Sequence, residues 1–285
     1  MSNTVVPEKE SPTYAAQSQP INATALRRYL TLLAVKLARR FQKRPNACVL
    51  FLSKKLFVKC GTQVNLGEAS AMQFVAKHTS IPVPRVYCAF KHKNQSYIVM
   101  ERIRGEPLAD GWYGRSKESR EKILAQLKNM IEEMRRIMPP DGIGVANVDG
   151  GPLYDLRLPG PSGHFGPFRT IQDFHRHLRG GQEAHPKHLP EISELISKQN
   201  EFGSPPPVFT HGDLNSANIL ASGDKVVGIV DWETSGWYPC YWEYTTAWNV
   251  NPRNEIWRGE VDKFIQPYPK ELEMEKIRLK YFGDV

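Results

Sequence analysis

Side chains suited to metal binding and proton transfer are concentrated between residues 208 and 233. Asp213 and Asn218 lie five positions apart in the stretch His-Gly-Asp-Leu-Asn-Ser-Ala-Asn, which begins at His211, and Asp231 follows thirteen residues after Asn218. Carboxylate and amide oxygens are hard ligands of the kind that Mg²⁺ binds, together with water and the phosphates of a nucleotide. The three side chains can therefore act as three metal ligands, or as a base beside two ligands.

Short apolar runs separate these polar positions and predict the strands that hold them. The runs are 208–209, 219–221 and 226–230, and Ser222-Gly223-Asp224 predicts a turn between the last two. Strand ends joined by tight turns can hold functional side chains rigidly. A turn rich in Asp, Asn, Gly and Ser is also common in loops without chemistry. The functional interpretation depends on the ordered set of polar positions between apolar strands.

The spacing also matches the catalytic loop of kinases, in which His, any residue, Asp, four residues and Asn precede a metal-binding Asp on the next hairpin. The sequences His-Gly-Asp-Leu-Asn-Ser-Ala-Asn-Ile-Leu and Ile-Val-Asp-Trp-Glu resemble the signature of the aminoglycoside phosphotransferase and choline kinase superfamily. The resemblance covers about residues 45–285 and is closest to a group common in filamentous fungi. His-Gly-Asp, in place of the His-Arg-Asp of protein kinases, is typical of the small-molecule branch.

This resemblance implies both a fold and a set of roles. The fold is α+β and bilobal, protein-kinase-like, with a small β-rich N-lobe and a larger, mainly helical C-lobe. Asp213 would be the catalytic base, and Asn218 and Asp231 the metal ligands, with ATP and Mg²⁺ as cofactors. We assign residues 21–104 to an N-terminal helix and the nucleotide-binding N-lobe, and residues 105–285 to the catalytic and substrate-binding C-lobe.

Two further charged residues are candidates for nucleotide binding. The segments 48–52 and 56–60 predict two strands, and Lys59 lies near the end of the second. Glu68 opens the next predicted helix, where its position fits a capping box. It also shares a helix face with apolar residues, and a buried carboxylate needs a partner. We predict a Lys59–Glu68 ion pair, and the resemblance implies that Lys59 binds the α and β phosphates.

The predicted hairpin over residues 85–100 leads into Glu101-Arg102-Ile103. The resemblance implies that this is the interlobe linker, where main-chain groups of Glu101 and Ile103 pair with adenine. Without the resemblance, it is a strand end before a turn. The sequence departs from protein kinases at the turn Ser53–Lys55, which contains no glycine-rich loop. The segment that covers the phosphates is therefore unassigned.

Charge is distributed unevenly along the 285 residues, which carry a net charge of +8. Residues 1–105 contain 17 Lys and Arg against four Asp and Glu, a balance of +13, and the remainder has a balance of −5. Such asymmetry indicates nucleic acid, an acidic partner or a lobe that handles a nucleotide triphosphate. Because no nucleic-acid motif is present, we favour the last and expect no nucleic-acid partner.

The compartment is predicted from cysteines and hydropathy. Four cysteines without metal or redox spacing indicate free thiols in a reducing cytosol. No apolar run approaches the roughly 20 residues that span a bilayer, and no secretory signal is visible. We therefore expect a cytoplasmic protein without a membrane span. Its oligomeric state is left open.

Residues 1–20 predict a disordered tail, and the segment 22–42 predicts a helix. One stripe of that helix is apolar, and its Lys and Arg side chains lie on other faces. The stripe consists of Leu26, Leu30, Leu33, Leu37 and Phe41. We interpret this segment as a solvated amphipathic helix that packs on the first lobe, in preference to membrane-surface binding, which its length and moment would also allow.

The second half predicts helices over 117–138 and about 170–179, 188–200, 254–265 and 270–281. Pro239 suits a further helix start. Between the first two, residues 139–169 are irregular and are interpreted as a lid, a binding loop or a disordered segment. The residues there that could reach a substrate are Tyr154, Asp155, Arg157, His164, Phe165 and Arg169. His175 and His177 do not share a helix face and are interpreted as surface or core residues.

The sequence as a whole predicts transfer of the ATP γ-phosphoryl group to a hydroxyl of a small-molecule metabolite. The alternative is a pseudokinase-type module that binds nucleotide or metabolite without turnover. A protein kinase is disfavoured because Asp-Phe-Gly and Ala-Pro-Glu are absent from the sequence. Glu233 could support the metal or orient the substrate.

The acceptor is predicted from charge. Residues 253–285, which should grip the acceptor by resemblance, contain seven acids and seven bases. A polycationic aminoglycoside needs an acidic cleft, so we expect a neutral or singly charged acceptor. An acidic patch built from Glu233, Glu243 and Asp262 is the alternative.

Overall fold

The computed structural model describes residues 18–41, 48–249 and 255–283. Residues 1–17 of the predicted disordered tail lie outside the described residues. The described helices are α1 (Ala25–Phe41), α2 (Gly67–His78), α3 (Leu108–Gly111), α4 (Lys117–Arg135), α5 (Ile171–Leu178), α6 (Pro190–Glu201), α7 (Trp242–Asn249), α8 (Glu255–Val261) and α9 (Pro269–Phe282). The strands are β1 (Val49–Phe51), β2 (Leu56–Gly61), β3 (Val86–His92), β4 (Gln95–Glu101), β5 (Glu106–Pro107), β6 (Leu153–Tyr154), β7 (His164–Phe165), β8 (Val208–Thr210), β9 (Ile219–Ser222), β10 (Lys225–Ile229) and β11 (Gly236–Tyr238).

Strands β1 to β4 form an antiparallel sheet in the order β1-β2-β4-β3. The strands predicted over 48–52 and 56–60 are present as β1 and β2, and the hairpin predicted over 85–100 is present as β3 and β4. The hairpin turn is short, because His92 already pairs with Gln95. The sequence therefore predicted the two hairpins of this sheet, but not the pairing of β2 with β4 that joins them.

The two faces of the sheet pack against different helices. Val58 and Cys60 on β2 are buried on the face that α1 covers. Successive side chains of a strand point to opposite faces, so Lys59 lies on the other face. There α2 packs with Met72 in the main core. This arrangement turns Lys59 toward the helix that carries Glu68.

Helix α1 forms where it was predicted and packs on the first lobe, but through a face other than its apolar stripe. The helix packs on the sheet through Thr31 and Val35, which are buried. The apolar stripe that we expected to pack on the first lobe faces outward instead, with Leu30 51% and Phe41 80% exposed. The predicted packing of α1 on the first lobe is therefore present, but the apolar stripe does not make it, because periodicity identifies an apolar face and does not identify what covers it.

The remainder of the described chain is mainly helical and has small sheets at its centre. Strands β10, β9 and β5 form one antiparallel sheet, and β11 pairs with β8. Helix α4 buries its apolar stripe, including Ile123, Leu127 and Met134, at 0% exposure in the same core that receives α2. The helices predicted around 170–179 and 188–200 are present as α5 and α6.

Two segments of the second half differ in detail from the sequence reading. The segment after Gly236 first forms β11, so the next helix begins at Trp242 and not at Pro239. Residues 139–169 contain the short pair β6 and β7, and Tyr154 and Asp155 within them are buried. Searched over the described residues, no helix is both long enough and apolar enough to span a membrane.

Candidate active site

Lys59 is at the centre of a cluster of carboxylates. Its Nζ lies 2.9 Å from Glu68 Oε2, 2.8 Å from Asp231 Oδ1 and 2.7 Å from Glu233 Oε2. The Lys59–Glu68 ion pair predicted from the sequence is therefore present. The oxygen ligands of Glu68, Asp231 and Glu233 all lie within 4.8 Å of one another. One ammonium group faces three carboxylates, which leaves an excess of negative charge.

Backbone geometry places Asp231 and Glu233 in this cluster. Asp231 follows the end of β10 with φ 65° and ψ 60°, a left-handed conformation that ends the extended strand. Residues Trp232–Thr234 then form a short 3-10 turn. Trp232 is buried and its Nε1 donates to Ile229 O at 2.9 Å, which anchors the turn. The two acids on either side of Trp232 are consequently free to face Lys59.

Burial and charge shift the pKa values in this cluster in different directions. Complete burial raises the pKa of Glu68 to about 7, although Lys59 opposes the shift. Burial also raises the pKa of Glu233. Burial alone would lower the pKa of Lys59, but Glu68, Asp231 and Glu233 outweigh it and hold this pKa above its ordinary value. The lysine is therefore fully charged at neutral pH.

Asp213 is linked to Asn218 by hydrogen bonds. The Asn218 amide Nδ2 donates to Asp213 Oδ2 at 2.8 Å and to Asp213 O at 2.9 Å. Both contacts use the donor end of the amide, so the oxygen end is the one available to a ligand. Asn218 lines the same cleft as Lys59 and Asp231. The predicted base and the two predicted metal ligands are thus brought together.

Arg157 holds the other oxygen of Asp213. Its Nη1 donates to Asp213 Oδ1 at 3.0 Å and its Nη2 donates to Gly212 O at 2.8 Å. Nε and Nη2 also donate to the two oxygens of the buried Asp155, at 2.8 and 2.7 Å. Burial raises the pKa of Asp213, and the charge of Arg157 counteracts this effect. The arginine therefore fixes the carboxylate of Asp213 and favours its ionised form.

His211 connects the two halves of the site. Its Nδ1 accepts from the main-chain N–H of Asp213 at 3.1 Å, which assigns the ring proton to Nε2. Nε2 lies 3.0 Å from Val230 O and donates to it. Val230 directly precedes Asp231, so the neutral imidazole ties the Asp213 loop to the end of β10. These two hydrogen bonds of His211 fix the position of Asp213 relative to Asp231.

Glu243 anchors the same loop from α7. Its carboxylate is 0% exposed and accepts from the main-chain N–H groups of His211 at 2.7 Å and Gly212 at 3.1 Å. Gly212 has φ 81°, and a Cβ there would lie 2.9 Å from Thr234 O. A side chain at this position would be strained and would collide with backbone. The Gly in His-Gly-Asp is thus required by the local fold.

The candidate nucleotide cleft has a volume of about 330 Å³ and lies between the first sheet and β9–β10. Its wall includes the residues of the predicted linker, Glu101 and Ile103, and its polar end contains Lys59, Glu68, Asn218 and Asp231. Apolar residues form the rest of the wall: Val49, Phe51, Phe57, Pro84, Met100, Leu220 and Val230. A larger groove of about 540 Å³ beside α4 contains none of the predicted site residues.

Sequence reasoning named seven of the residues at this site and Glu233 as a further candidate, did not single out Arg157, and misplaced Glu243. The seven are Lys59, Glu68, Glu101, Ile103, Asp213, Asn218 and Asp231. Arg157 was only one of several candidates in a long loop, and no local pattern distinguished it. Glu243 was assigned to a possible acidic patch, but it is buried and bound to main chain. That assignment is wrong. A signal was available, since a carboxylate in the aromatic run Tyr241-Trp242-Glu243-Tyr244 needs a buried partner.

The histidines of α5 are packing residues. His175 is 0% exposed, and its Nε2 lies 2.8 Å from the hydroxyl of Tyr241. Burial lowers the pKa of His175 to about 4, so it is neutral at physiological pH. His177 stacks on Phe165, with ring centroids 5.8 Å apart.

Comparison with known proteins identifies the family and the fold. A family model described as the phosphotransferase enzyme family matches residues 64–275. The chain is similar to a thermostable mutant of aminoglycoside phosphotransferase APH(4)-Ia in ternary complex with AMP-PNP and hygromycin B, with 14% identity, a TM-score of 0.58 and coverage of 82% of this chain and 79% of that chain. It is also similar to ADP-bound aminoglycoside phosphotransferase APH(2'')-Ib, with 12% identity, a TM-score of 0.52 and coverage of 81% and 78%. These likenesses confirm the α+β, bilobal protein-kinase-like fold.

One curated protein is also similar to this chain. It is a probable acyl-CoA dehydrogenase, IBR3, of Arabidopsis thaliana, 23% identical over 183 residues. The match covers 59% of this chain and 20% of the plant protein. The chain therefore spans about a fifth of the length of that relative.

Proposed function

Because the chain belongs to the phosphotransferase enzyme family, we propose that it transfers the γ-phosphoryl group of ATP, in the presence of Mg²⁺, to a hydroxyl of a small-molecule metabolite. The observation that carries this proposal is the convergence of Lys59, Asn218 and Asp231 on one cleft of about 330 Å³. Asp213 is attached to the same site through its hydrogen bonds to Asn218. A base, a cation and hard oxygen ligands are the parts that phosphoryl transfer requires.

The donor set fits a divalent cation. Asp231 presents a carboxylate, the donor end of the Asn218 amide is already occupied, and Glu233 adds a second carboxylate beside Asp231. In the three-carboxylate cluster around Lys59 there is more negative charge than one ammonium group balances. Asn218 and Asp231 would hold Mg²⁺, and Glu233 would support it. When bound, the ion supplies positive charge to the phosphates and aligns them.

The residues of the chain would divide the reaction between them. Lys59, held by Glu68, would bind the α and β phosphates. Asp213, oriented by Arg157 and Asn218, would accept the proton of the acceptor hydroxyl. The acceptor oxygen forms a bond to the γ-phosphorus as the bond between that phosphorus and the β,γ-bridging oxygen breaks, and ADP leaves.

Adenine would lie at the apolar end of the cleft. Main-chain groups of Glu101 and Ile103 would pair with its edge, and the flanking apolar wall would contact its faces. Ile103 also packs against the main chain of β10, since a Cβ on Gly228 would come within 2.5 Å of its Cδ1. We propose the same division as the sequence indicated: residues 21–104 form the nucleotide-binding N-lobe with its helix, and residues 105–285 form the catalytic C-lobe.

A metabolite screen tests the proposed reaction. Purified protein is incubated with Mg²⁺, γ-labelled ATP and metabolite extracts, and phosphorylated products are identified by mass spectrometry. We expect at least one product that wild-type protein forms and Asp213→Asn does not. Nucleotide binding without any product across broad acceptors would contradict the proposed turnover.

A nucleotide-binding module without turnover is the second candidate. The observation that favours it is the turn between β1 and β2, Leu52-Ser53-Lys54-Lys55, which supplies no glycines to cover the phosphates. Retention of Lys59, Asp213, Asn218 and Asp231 argues against it. Saturable Mg²⁺–ATP binding combined with an inactive wild-type protein in the screen would establish this second candidate.

We further propose that the acceptor is neutral or singly charged, unlike the aminoglycosides named in the related structures. A fixed guanidinium, that of Arg157, touches the Asp213 carboxylate that must receive the acceptor hydroxyl. Several acids of the expected acceptor-binding region are already paired. Glu275 lies 2.7 Å from Arg278, and Glu260 lies 2.5 Å from Lys263.

Phosphorylation of aminoglycosides provides the test of this acceptor class. Kanamycin-type and neomycin-type compounds are assayed by coupling ADP release to a spectrophotometric readout. We expect no saturable activity. The positive charge of Arg157 repels a polycation, and the acids that could bind it are already paired. Saturable phosphorylation with a micromolar KM would contradict the acceptor proposal while supporting phosphotransfer itself.

A further inference from the structure

Helix α1 presents four of its five leucines to solvent and its inner arginines, Arg28 and Arg39, to the protein. The exposed fractions of its apolar stripe are 66% for Leu26, 51% for Leu30, 41% for Leu33, 50% for Leu37 and 80% for Phe41. At 100° per residue these side chains fall within an arc of about 80°. They form one continuous apolar stripe along a helix of 17 residues.

The opposite face attaches α1 to the sheet, so the outward orientation of the stripe is set by specific contacts. Val35 is buried against the sheet. The Arg28 guanidinium lies 5.5 Å from the ring centroid of Phe90, and Arg39 Nη2 lies 3.7 Å from Cys60 Sγ. These contacts lie on the face away from the apolar stripe, where Leu32 also packs. Rotation of the helix to bury the leucines would break them.

Cations border the apolar stripe on both sides. Arg40 and Lys36 follow on one edge and Arg27 on the other, and all three are exposed. Tyr29, 64% exposed, lies between Arg40 and Lys36 on the helical wheel. An apolar stripe with basic edges and an aromatic side chain at the boundary is the pattern of a helix that lies in a membrane interface.

The charge of the surrounding sequence selects one occupant. No Asp or Glu occurs between Glu10 and Glu68, and this stretch contains ten Lys and Arg. A second copy docked through the same stripe would bring like charges together. Nucleic acid would bind the basic side chains but would leave the exposed leucines in water. An anionic bilayer can bind both groups, because its acyl region buries the exposed leucines and its headgroups attract the basic side chains.

We propose that the outer face of α1 docks the protein onto the surface of an anionic lipid bilayer. The helix lies parallel to the surface, with its apolar stripe inserted and Lys36 and Arg40 in contact with headgroup phosphates. The contacts of Val35, Arg28 and Arg39 keep the folded domain on the aqueous side. Binding is peripheral and does not depend on phosphotransfer activity.

Vesicle flotation with the full-length protein tests this surface. Vesicles of phosphatidylcholine with about 30% phosphatidylserine, a negative surface of the kind that attracts basic segments, are compared with phosphatidylcholine alone. We expect wild-type protein to bind the anionic vesicles and to be released by salt. The double variant Leu30→Gln/Leu37→Gln should bind at least ~10-fold more weakly, since two inserted side chains are lost. Lys36→Gln/Arg40→Gln should weaken binding about fivefold for each cation removed.

Matched controls separate docking from misfolding. Leu189→Gln removes a leucine that is 55% exposed outside α1, and Lys117→Gln removes an exposed cation whose side chain is 87% exposed. Both should bind vesicles as wild type does, and all variants should keep the wild-type melting temperature. The proposal is overturned if wild type ignores anionic vesicles, or if the leucine variant binds equally well. It is also overturned if α1 mediates self-association in sedimentation without vesicles, or if binding appears only after deletion of residues 1–17.

Discussion

Lys59 and Arg157 are both surrounded by carboxylates, but the two clusters differ in how the cation is satisfied. Lys59 is a single ammonium that faces three carboxylates. Arg157 uses four of its five N–H groups on Asp155, Asp213 and Gly212 O. The first cluster has the larger surplus of carboxylates, three to one against two to one, and a movable cation. The second has a planar group fixed in one geometry.

This difference suggests separate tasks for the two clusters. Surplus negative charge next to the candidate nucleotide cleft suits the entry of a divalent cation, after which Lys59 can exchange carboxylate partners for the phosphates. A guanidinium held by the buried Asp155 does not need to move, so it suits the orientation of a base. The following predictions test this division, from the largest expected effect to the smallest.

Removal of the proposed base should have the largest effect. Asp213→Asn keeps the shape of the side chain but cannot accept a proton, so kcat should fall by ~10²–10⁴-fold. Mg²⁺–ATP binding should persist, because Asn218 and Asp231 are unchanged. The measurement is ADP release with the acceptor identified by the metabolite screen. An unchanged kcat would remove Asp213 from the chemistry.

Removal of a carboxylate from the Lys59 cluster should eliminate metal-dependent nucleotide binding. A ligand at a hundred times its Kd stabilises the folded state by about 2.7 kcal/mol. Asp231→Ala should lose this stabilisation, measured as the rise in melting temperature with Mg²⁺–ATP. Asp141→Ala, at an exposed position outside the site, is the control and should keep it. If Mg²⁺–ATP raises the melting temperature of Asp231→Ala as much as that of wild type, the metal is held elsewhere.

Substitution within the second cluster should affect rate more than binding. Arg157→Lys keeps the charge but cannot reproduce the planar fork, and hydrogen bonds to charged groups contribute about 1.5–3 kcal/mol. We expect kcat to fall ~10-fold or more while the KM for ATP stays close to wild type. A rise in that KM with normal kcat would place Arg157 in nucleotide binding and undo the comparison.

The pH dependence of stability provides the smallest test, on protein free of metal and nucleotide. Burial raises the pKa of Glu68 to about 7 in the folded state, from an ordinary value of 4.5, so the carboxyl keeps its proton up to about pH 7. The folded state binds more protons in this window, so the free energy of unfolding falls as pH rises from 4.5 to 7, by about 1 kcal/mol per pH unit. Glu68→Gln does not titrate and should lack this slope in urea unfolding. Parallel slopes in the two proteins would contradict the buried state of Glu68.

Sequence patterns predicted the two hairpins of the first sheet and most helices, because these depend on local alternation and turn chemistry. The Lys59–Glu68 ion pair was predicted from the requirement that an inward carboxylate have a partner, together with the resemblance to kinases. Arg157 could not be selected, since its long loop has no periodicity that fixes which side chain returns to Asp213. Glu243 was misread because charge counts do not show burial.

Helices α1 and α4 show the same limit on a larger scale. Both have an apolar stripe with helical spacing, and both form close to the predicted residues. Helix α4 buries Leu127 at 0% exposure, whereas α1 leaves Leu26 66% exposed. The order of residues determined that each helix has an apolar face, because the 3.6-residue period is a property of the chain itself. Which surface meets that face is decided by contacts between distant segments, and only the tertiary structure contains them.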